Sequence, residues 1–326
     1  MTPQVRLEDF HLVQAEWTKL LPSCITDTIF LTPWVQTMWV NHFGKAPELR
    51  VFSVREGDRL VGLAPMMVRD GVLSFLGGKD LFDYHDFLVP HGNEDAFYPA
   101  LFAHLKTLEW TTMDLRSVLQ SSPTAERMKS LAEAAGYSTE LKEEDKAPFM
   151  PLPATFDDYV AALPKKDRHE LRRKQRRLAE AAPDRKEYTC TTPDEVAGLM
   201  PDFFRLHKAS SPNKNRFMNP AREQYFLEMA KDLASRGQFR LSVMEIGGKR
   251  VAACINFDYG DSYLLYNSGY DTEYANLSVG LLNTALTIKE AIENGKKTFD
   301  FLRGTERYKY DLGAQDKSVY QLVVRR

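Results

Sequence analysis

The run FLRGTERYKYDLG, Phe301 to Gly313, crowds Arg303, Glu306, Arg307, Tyr308, Lys309, Tyr310 and Asp311 directly behind an apolar strand candidate. The C-terminal end of a buried strand is a common place for ligands in α/β folds. A carboxylate, a phenol and several cations gathered there can take a proton, give one and hold an anion. A structural network built on an Arg303–Glu306 ion pair would use the same residues, so the spacing leaves both readings open.

A second charged run, LPKKDRHELRRKQRRLAEAA from Leu163 to Ala182, raises a related question. Lys165, Lys166, Arg168, Arg172, Arg173, Lys174, Arg176 and Arg177 are eight cations in thirteen positions of a chain whose net charge is −2, so the excess is local. Leu163-Pro164 suits a helix start, nothing up to Ala182 breaks a helix, and Pro183 ends it. At 100° per residue the cations spread over roughly half the circumference beside a narrow seam of Leu171, Leu178 and Ala182. Such a helix docks by the seam and presents its cations outward, either as a plain solvated face or toward an anion. Repulsion between Arg168 and Arg172, and between Arg172 and Arg176, works against the helix and favours the anion.

Other chemistries find less support. Asp83-Tyr84-His85-Asp86 has no second histidine–carboxylate cluster at supporting spacing, so no metal is expected. His207-Lys208 through Lys214-Asn215-Arg216 reads equally as a mobile lid or plain surface. There is no GxSxG, no phosphate-binding Walker loop and no Cys-His pattern, which argues against covalent catalysis. The three cysteines, Cys24, Cys190 and Cys254, are far apart and form no CxxC, so neither a disulfide framework nor a zinc site is expected and a reducing cytoplasm fits. MTPQVRLEDFHLV carries no basic segment followed by an apolar run. No stretch approaches the ~20 apolar residues of a membrane span, and the expectation is a soluble, unprocessed, cytoplasmic protein. At 326 residues, 43% hydrophobic and 11% aromatic, the chain can bury a real core in two ordinary domains or one large one.

The elements that must position these residues alternate along the chain. Thr32-Pro33 opens a helix that stops at Gly44. Two apolar runs flank Gly57-Asp58 as a hairpin. GVLSFLGG and YHDFLVP follow as strands, Glu94 to Trp110 as a helix, MDLRSV as a strand and Pro123 to Ala135 as a helix. After the basic stretch come helices from about Pro193 to Ala209 and from Asn219-Pro220 to Arg236. A hairpin about Gly247-Gly248, the strand DSYLLYN, a helix from Ser278 to Asn294 and the strand TFDFL complete the second half.

At a constant offset of 190, Arg50 meets Arg240, Gly57 meets Gly247, Val61 meets Val251, Phe75 meets Leu265 and Tyr84 meets Tyr274. Matching turns and strand lengths predict a duplicated α/β unit. The expected division is a first domain over 1–155, a basic linking helix over 156–185 and a second domain over 186–326.

LPKKDRHELRRKQRRL, then YLLYNSGYDTEYANLSVGLLN and FDFLRGTERYKYDLG, together with VGLAPMM, SFLGGKDLFDYHDFLVP and LTPWVQTMW, resemble the GNAT-type acyltransferases. The resemblance is to the branch that includes CelD-like cellulose-biosynthesis proteins and is related to the FemAB peptidoglycan-bridge aminoacyltransferases. It spans nearly the whole chain, with YNSGYD and FLRGTERYK its most specific parts. It implies an α/β fold of tandem GNAT-like domains, each a mixed, mostly antiparallel sheet flanked by helices, and acyl transfer to an amine.

In that fold two central strands splay around the donor and a helix N-terminus faces its pyrophosphate. The resemblance therefore puts Asn276, Ser278 and Gly280 at an acyl-CoA donor, with Lys166, Arg168, Arg172 and Arg176 toward its phosphates. Ser278 as a plain N-cap and Gly280 as a packing glycine serve equally well, and the QxxGxG/A pattern of acetyl-CoA-binding relatives is missing. Direct acyl transfer would use Glu306 as base, Tyr308 as acid and Lys309 or Arg303 as anion clamp. Tyr266, Asn267 and Arg303 become substrate contacts, with Tyr84 and Asp86 lining an interdomain cleft for the acceptor.

Two alternatives use the basic helix differently. One is FemAB-like aminoacyl transfer from charged tRNA, although KEYTC follows the helix too closely for the long helical hairpin of many FemAB relatives. The other is a non-catalytic nucleic-acid-binding protein, which the pI of about 6.4 and the lack of interleaved aromatics oppose. Donor, acceptor and oligomeric state are not legible.

Overall fold

The computed structural model describes residues 2–45 and 48–326. The chain folds as two compact units, residues 1–146 with 317–326 and residues 147–316. Unit 1 contains β1 (Gln4–Glu8), α1 (Gln14–Leu20), α2 (Pro33–Phe43), β2 (Leu49–Glu56), β3 (Arg59–Arg69), β4 (Val72–Phe75), α3 (Glu94–Leu105), β5 (Thr112–Leu119) and α4 (Thr124–Ala134). β6 (Ser138–Pro151) then carries the chain into unit 2. There follow α5 (Phe156–Ala162), α6 (Lys165–Ala181), β7 (Lys186–Cys190), α7 (Pro193–Ser210), α8 (Pro212–Phe217), α9 (Pro220–Ser235), β8 (Phe239–Ile246), β9 (Lys249–Tyr259), β10 (Ser262–Tyr270), α10 (Val279–Glu293), β11 (Thr298–Asp300) and α11 (Arg307–Asp311). β12 (Gln315–Arg325) returns the C-terminus to unit 1, where Val319–Arg325 pair antiparallel with β5.

Local sequence explains where the helices begin. Thr32, Thr192 and Asn219 each cap a helix with a side-chain oxygen and are each followed by proline at the first helical position, with a full capping box between Thr192 and Glu195. Proline there loses an amide that would have had no intrahelical partner, while the cap satisfies another.

The two units repeat one plan. β2, β3 and the start of β4 recur 190 positions later as β8, β9 and the start of β10. In both units an N-terminal strand, β1 or β7, pairs antiparallel with the first hairpin strand, and the fourth strand meets the fifth in parallel. Even the register shift recurs: it falls between Val54 and Arg55 in one hairpin and between Met244 and Glu245 in the other. A bulge turns side chains to the opposite face, so sharing its position means sharing which residues face the core. Each unit has its own core, around Phe52, Phe87, Phe97 and Leu115 in unit 1 and around Met244, Tyr263, Ile288 and Phe299 in unit 2. The fold is thus a duplicated α/β unit with a mixed, mostly antiparallel sheet and flanking helices.

Five expectations need correction. The basic helix is no linker: Leu171 and Leu178 pack into the unit 2 core, so α6 belongs to that unit. The unit boundaries accordingly fall at 146/147 and 316/317. YHDFLVP is not a strand; it is buried irregular chain whose backbone pairs with β3 at an isolated bridge, Leu63 to Leu88. The strand TFDFL ends at Asp300 because Leu302 is left-handed, with φ of 57°, and the helix expected up to Trp110 ends at Leu105.

Gly269 on β10 lets α7 lie directly against the strand. A Cβ there would sit 2.3 Å from the backbone nitrogen of His207, closer than any side-chain rearrangement can relieve. Gly269→Ala should therefore lower stability by about 2–3 kcal/mol, read as a fall in Tm by circular dichroism.

Candidate active site

β10 and β11 pair in parallel over three residues, Ser262–Leu264 against Thr298–Asp300, and then part. β10 continues to Tyr270 alone on that side. Where the strands separate, a pocket of about 270 Å³ opens, lined among others by Lys214, Cys254, Ser268, Gly280, Leu281 and Tyr308. Ser268 comes from β10, Cys254 from β9, Lys214 from α8, Gly280 and Leu281 from α10, and Tyr308 from α11.

Tyr308 hydrogen-bonds the Ser268 side chain, and burial pushes its phenol well above the usual range. It therefore stays protonated at neutral pH, as an acid must. Lys214 Nζ donates to the Ser268 carbonyl, and burial pushes its ammonium below the usual lysine value. Burial also raises the Cys254 thiol; its sulphur lies 3.3 Å from Asn283 Nδ2.

Lys309 differs from the expected anion clamp. It is buried, and its Nζ donates to the carbonyls of Leu302 (3.3 Å), Arg303 (2.9 Å) and Gly304 (2.9 Å) and pairs with Glu306 Oε2 at 2.9 Å. The ammonium is thus engaged in holding the loop that follows β11. Glu306 is exposed, folded back on that clamp, and does not line the pocket. Arg303 is half-buried, with its carbonyl inside the clamp.

Ser278 occupies the N-cap of α10 in the left-handed region, φ 58°, without a side-chain cap bond. Both Ser278 and Gly280 line the pocket. Gly280 also has a packing reason, since a Cβ would meet the Tyr270 ring at 2.9 Å. Tyr266 stacks on Phe257, centroids 4.6 Å apart, and on Phe226 at 5.6 Å. Asn267 Oδ1 lies 3.1 Å from His207 Nε2. Neither lines the pocket.

Leu281 also lines a wider groove of about 940 Å³ whose wall is α6, with Lys165, Lys166, His169, Arg173 and Arg176 facing it and Arg307 across it. Arg177 fixes the helix to the loop before α10 by donating to the Asn276 carbonyl at 2.8 Å. Glu170 binds Arg173 and Lys174, which hold its carboxyl down to about 2, leaving Lys166 and Arg176 as cations available to a ligand. Arg168 instead donates to the Ala161 carbonyl at 2.7 Å, and Arg172 is exposed outside the groove.

In unit 1 the structure gives Tyr84 and Asp86 a different task. Both are buried, and Asp86 accepts from the hydroxyls of Thr26 and Thr124 and from the Phe87 amide. The carboxylate ties the irregular DYHDF segment into the core instead of presenting itself to a ligand. Desolvation there raises its pKa.

Lys214 and His207 were missed in sequence because their segment reads as a polar loop; the signals were the Ser211-Pro212 helix start and the adjacent Asn219-Pro220. Among the described residues no group of three or more His, Cys, Asp or Glu side chains is placed to hold a metal, and no helix is long and apolar enough to cross a membrane.

The sequence of unit 2 matches a known family over residues 165–310, described as the acetyltransferase (GNAT) domain. Unit 2 carries a GNAT acyltransferase domain. The protein is an acyltransferase, and the splayed β10/β11 pair lies within the matched region. Among solved structures the chain is similar to FemX (TM-score 0.67, 12% identity, 98% of this chain and 96% of that one). It is also similar to a tandem GNAT protein from the clavulanic acid biosynthesis pathway (0.51, 14%, 98% of each). L-PGS from Bacillus licheniformis is a third likeness (0.53, 12%, 87% and 86%). At these identities the likeness is one of fold. No curated protein sequence matches the chain.

Two predictions follow the geometry. Lys309→Met would leave three loop carbonyls without their donor, so it should cost about 2–4 kcal/mol, seen as a Tm loss that a free anion clamp would not cause. His207 is buried and its pKa falls to about 4, chiefly through desolvation with Lys214 nearby. The unfolded state then binds more protons than the folded one between about pH 6.5 and 4. Stability should fall across that window on acidification, and urea titrations of His207→Gln should show a flatter fall.

Proposed function

We propose that the protein is an N-acyltransferase that moves an acyl group from a CoA-type thioester to an amine acceptor by direct attack. One observation carries the reading: the pocket at the β10/β11 splay shares Leu281 with a groove whose lining holds six lysines and arginines against three carboxylates. A thioester whose acyl end lies in a small enclosed space and whose diphosphate lies among cations fits that sequence of environments. Lys166 and Arg176 would meet the phosphates, and the uncapped first turn of α10 adds amide donors beside Ser278 and Gly280.

In the reaction the amine attacks the thioester carbonyl, charge gathers on the oxygen, and the sulphur departs. Amides on the unpaired edge of β10 supply donors for the oxyanion. Tyr308, protonated through burial, gives its proton to the sulphur. Glu306, bound to Lys309 outside the pocket, is a poor match for the base of this scheme. Arg303, just behind β11, would shape the acceptor side, whereas Tyr266 and Asn267 lie mid-way along β10 and would act on it only through their neighbours. Three buried free cysteines suit a reducing cytoplasm, and the motifs quoted above resemble those of the CelD-like branch.

Aminoacyl transfer from charged tRNA is the second reading, favoured by the exposed cations that extend beyond the groove to Arg172. One pair of titrations separates the two. With acetyl-CoA in calorimetry, Lys166→Ala with Arg176→Ala should raise Kd roughly ten- to a hundredfold, while Arg172→Ala leaves it unchanged. Loss of tRNA affinity in all three positions with a flatter salt slope, and no acetyl-CoA binding to wild type, would replace the thioester reading.

A further inference from the structure

The titratable side chains lining the acyl pocket are Lys214, Cys254, Tyr270 and Tyr308. Lys214 and Tyr308 converge on one residue of the unpaired strand edge. Lys214 Nζ donates to the carbonyl of Ser268, and the Tyr308 phenol hydrogen-bonds the side chain of the same serine. The two groups thus stand together where the strands part, on elements that approach the pocket separately: α8 carries the amine and α11 the phenol.

Resting on the thioester reading above, we propose that Lys214 is the general base of the reaction: its Nζ takes the proton of the attacking amine while Tyr308 gives one to the departing sulphur. Burial sorts the two roles. It holds the phenol in its protonated form and favours the uncharged form of the amine, and titratable groups pushed apart in this way are a signature of an acid and a base. The charged and titratable groups facing Lys214 are His207 from α7, Cys254 from β9, Glu306 ahead of α11, and Tyr308 and Lys309 on it. Lys309 and burial oppose the ammonium; Cys254 and Glu306 favour it, and burial is the largest effect.

The step balances with these groups alone. The neutral amine nitrogen bonds to the thioester carbon, giving an intermediate with a positive nitrogen and a negative oxygen. Lys214 removes one proton from that nitrogen. The carbon–sulphur bond breaks, its electron pair leaves with the sulphur, and Tyr308 protonates the thiolate. The lysine ammonium then returns its proton to the tyrosinate through Ser268 or solvent, and the products are an amide and a thiol. An acceptor arriving as an ammonium releases one further proton to water.

Two variants and one labelling experiment decide the matter. Acetyl-CoA serves as donor and ethylamine as probe acceptor, with thiol release followed from about pH 6 to 10. Lys214→Met and Lys214→Arg should keep the Kd for acetyl-CoA within about twofold of wild type and lower kcat roughly a hundredfold. Both should abolish the ionisation that limits the wild-type rate on the acid side. Competitive labelling of wild-type amines with formaldehyde and borohydride, read by mass spectrometry, should show Lys214 titrating below the surface lysines. Wild-type activity in Lys214→Arg would overturn the proposal, because arginine keeps the positive charge but takes no proton. Labelling of Lys214 in step with surface lysines would overturn it as well, including when ethylamine proves a poor acceptor. Failure of the thioester reading itself looks different: wild type would then show no affinity for acetyl-CoA, whatever stands at position 214.

Discussion

The site depends on β11 stopping after three residues. Asp300 accepts the Leu302 amide through its Oδ1 at 2.8 Å, which turns the chain out of the strand direction. Leu302 then takes a left-handed conformation that costs a branched residue on the order of 1–2 kcal/mol, and Gly304 follows at φ 107°. The buried Lys309 ammonium offsets that cost by collecting the carbonyls that the turn points inward. Because the chain leaves here, β10 pairs with β9 alone beyond Leu264, among the described residues, and α11 is brought round to put Tyr308 at the edge that β11 leaves.

Unit 1 uses the same scaffold to the opposite effect. Its parallel pair also begins as three residues, Val72–Ser74 against Thr112–Asp114. There, however, β4 ends at Phe75 while β5 continues to Leu119 and finds a full antiparallel partner in β12. The strand that persists is the fifth instead of the fourth, and its edge is sealed. Shared bulges and matching hairpins thus coexist with opposite treatment of the strand edge that borders the proposed donor pocket.

Much of the scaffold was legible in the sequence because it rests on local rules. The cap-then-proline pairs at Thr32-Pro33 and Asn219-Pro220, the glycine turns at Gly57 and Gly247, and the constant offset of 190 all act over a few residues or by simple repetition. The seam of Leu171 and Leu178 was legible for the same reason. The site was less so, because residue type does not say what surrounds a side chain. Lys309 reads as a ligand cation and proves to be a loop clamp; Asp86 reads as a cleft carboxylate and holds buried threonines; Lys214 reads as lid or plain surface and is half-buried against β10. Each of those outcomes depends on burial and on carbonyls supplied by neighbours through the fold.

Gly269 fixes more than one packing contact. With no side chain between them, the main chain of α7 rests on the main chain of β10 at His207. A single residue, Ser211, separates α7 from α8, so Lys214 stands only a few residues beyond that contact. The position of the amine is therefore gauged by backbone against backbone, without a cushion of rotameric side chains to absorb error. A shift of α7 along the strand by one helical residue would carry the amine about 1.5 Å, a large fraction of a hydrogen-bond length. A chain built this way has little slack for drift in the α7 interface, and sequence change near Gly269 would be registered at the pocket as misalignment before it was registered as unfolding.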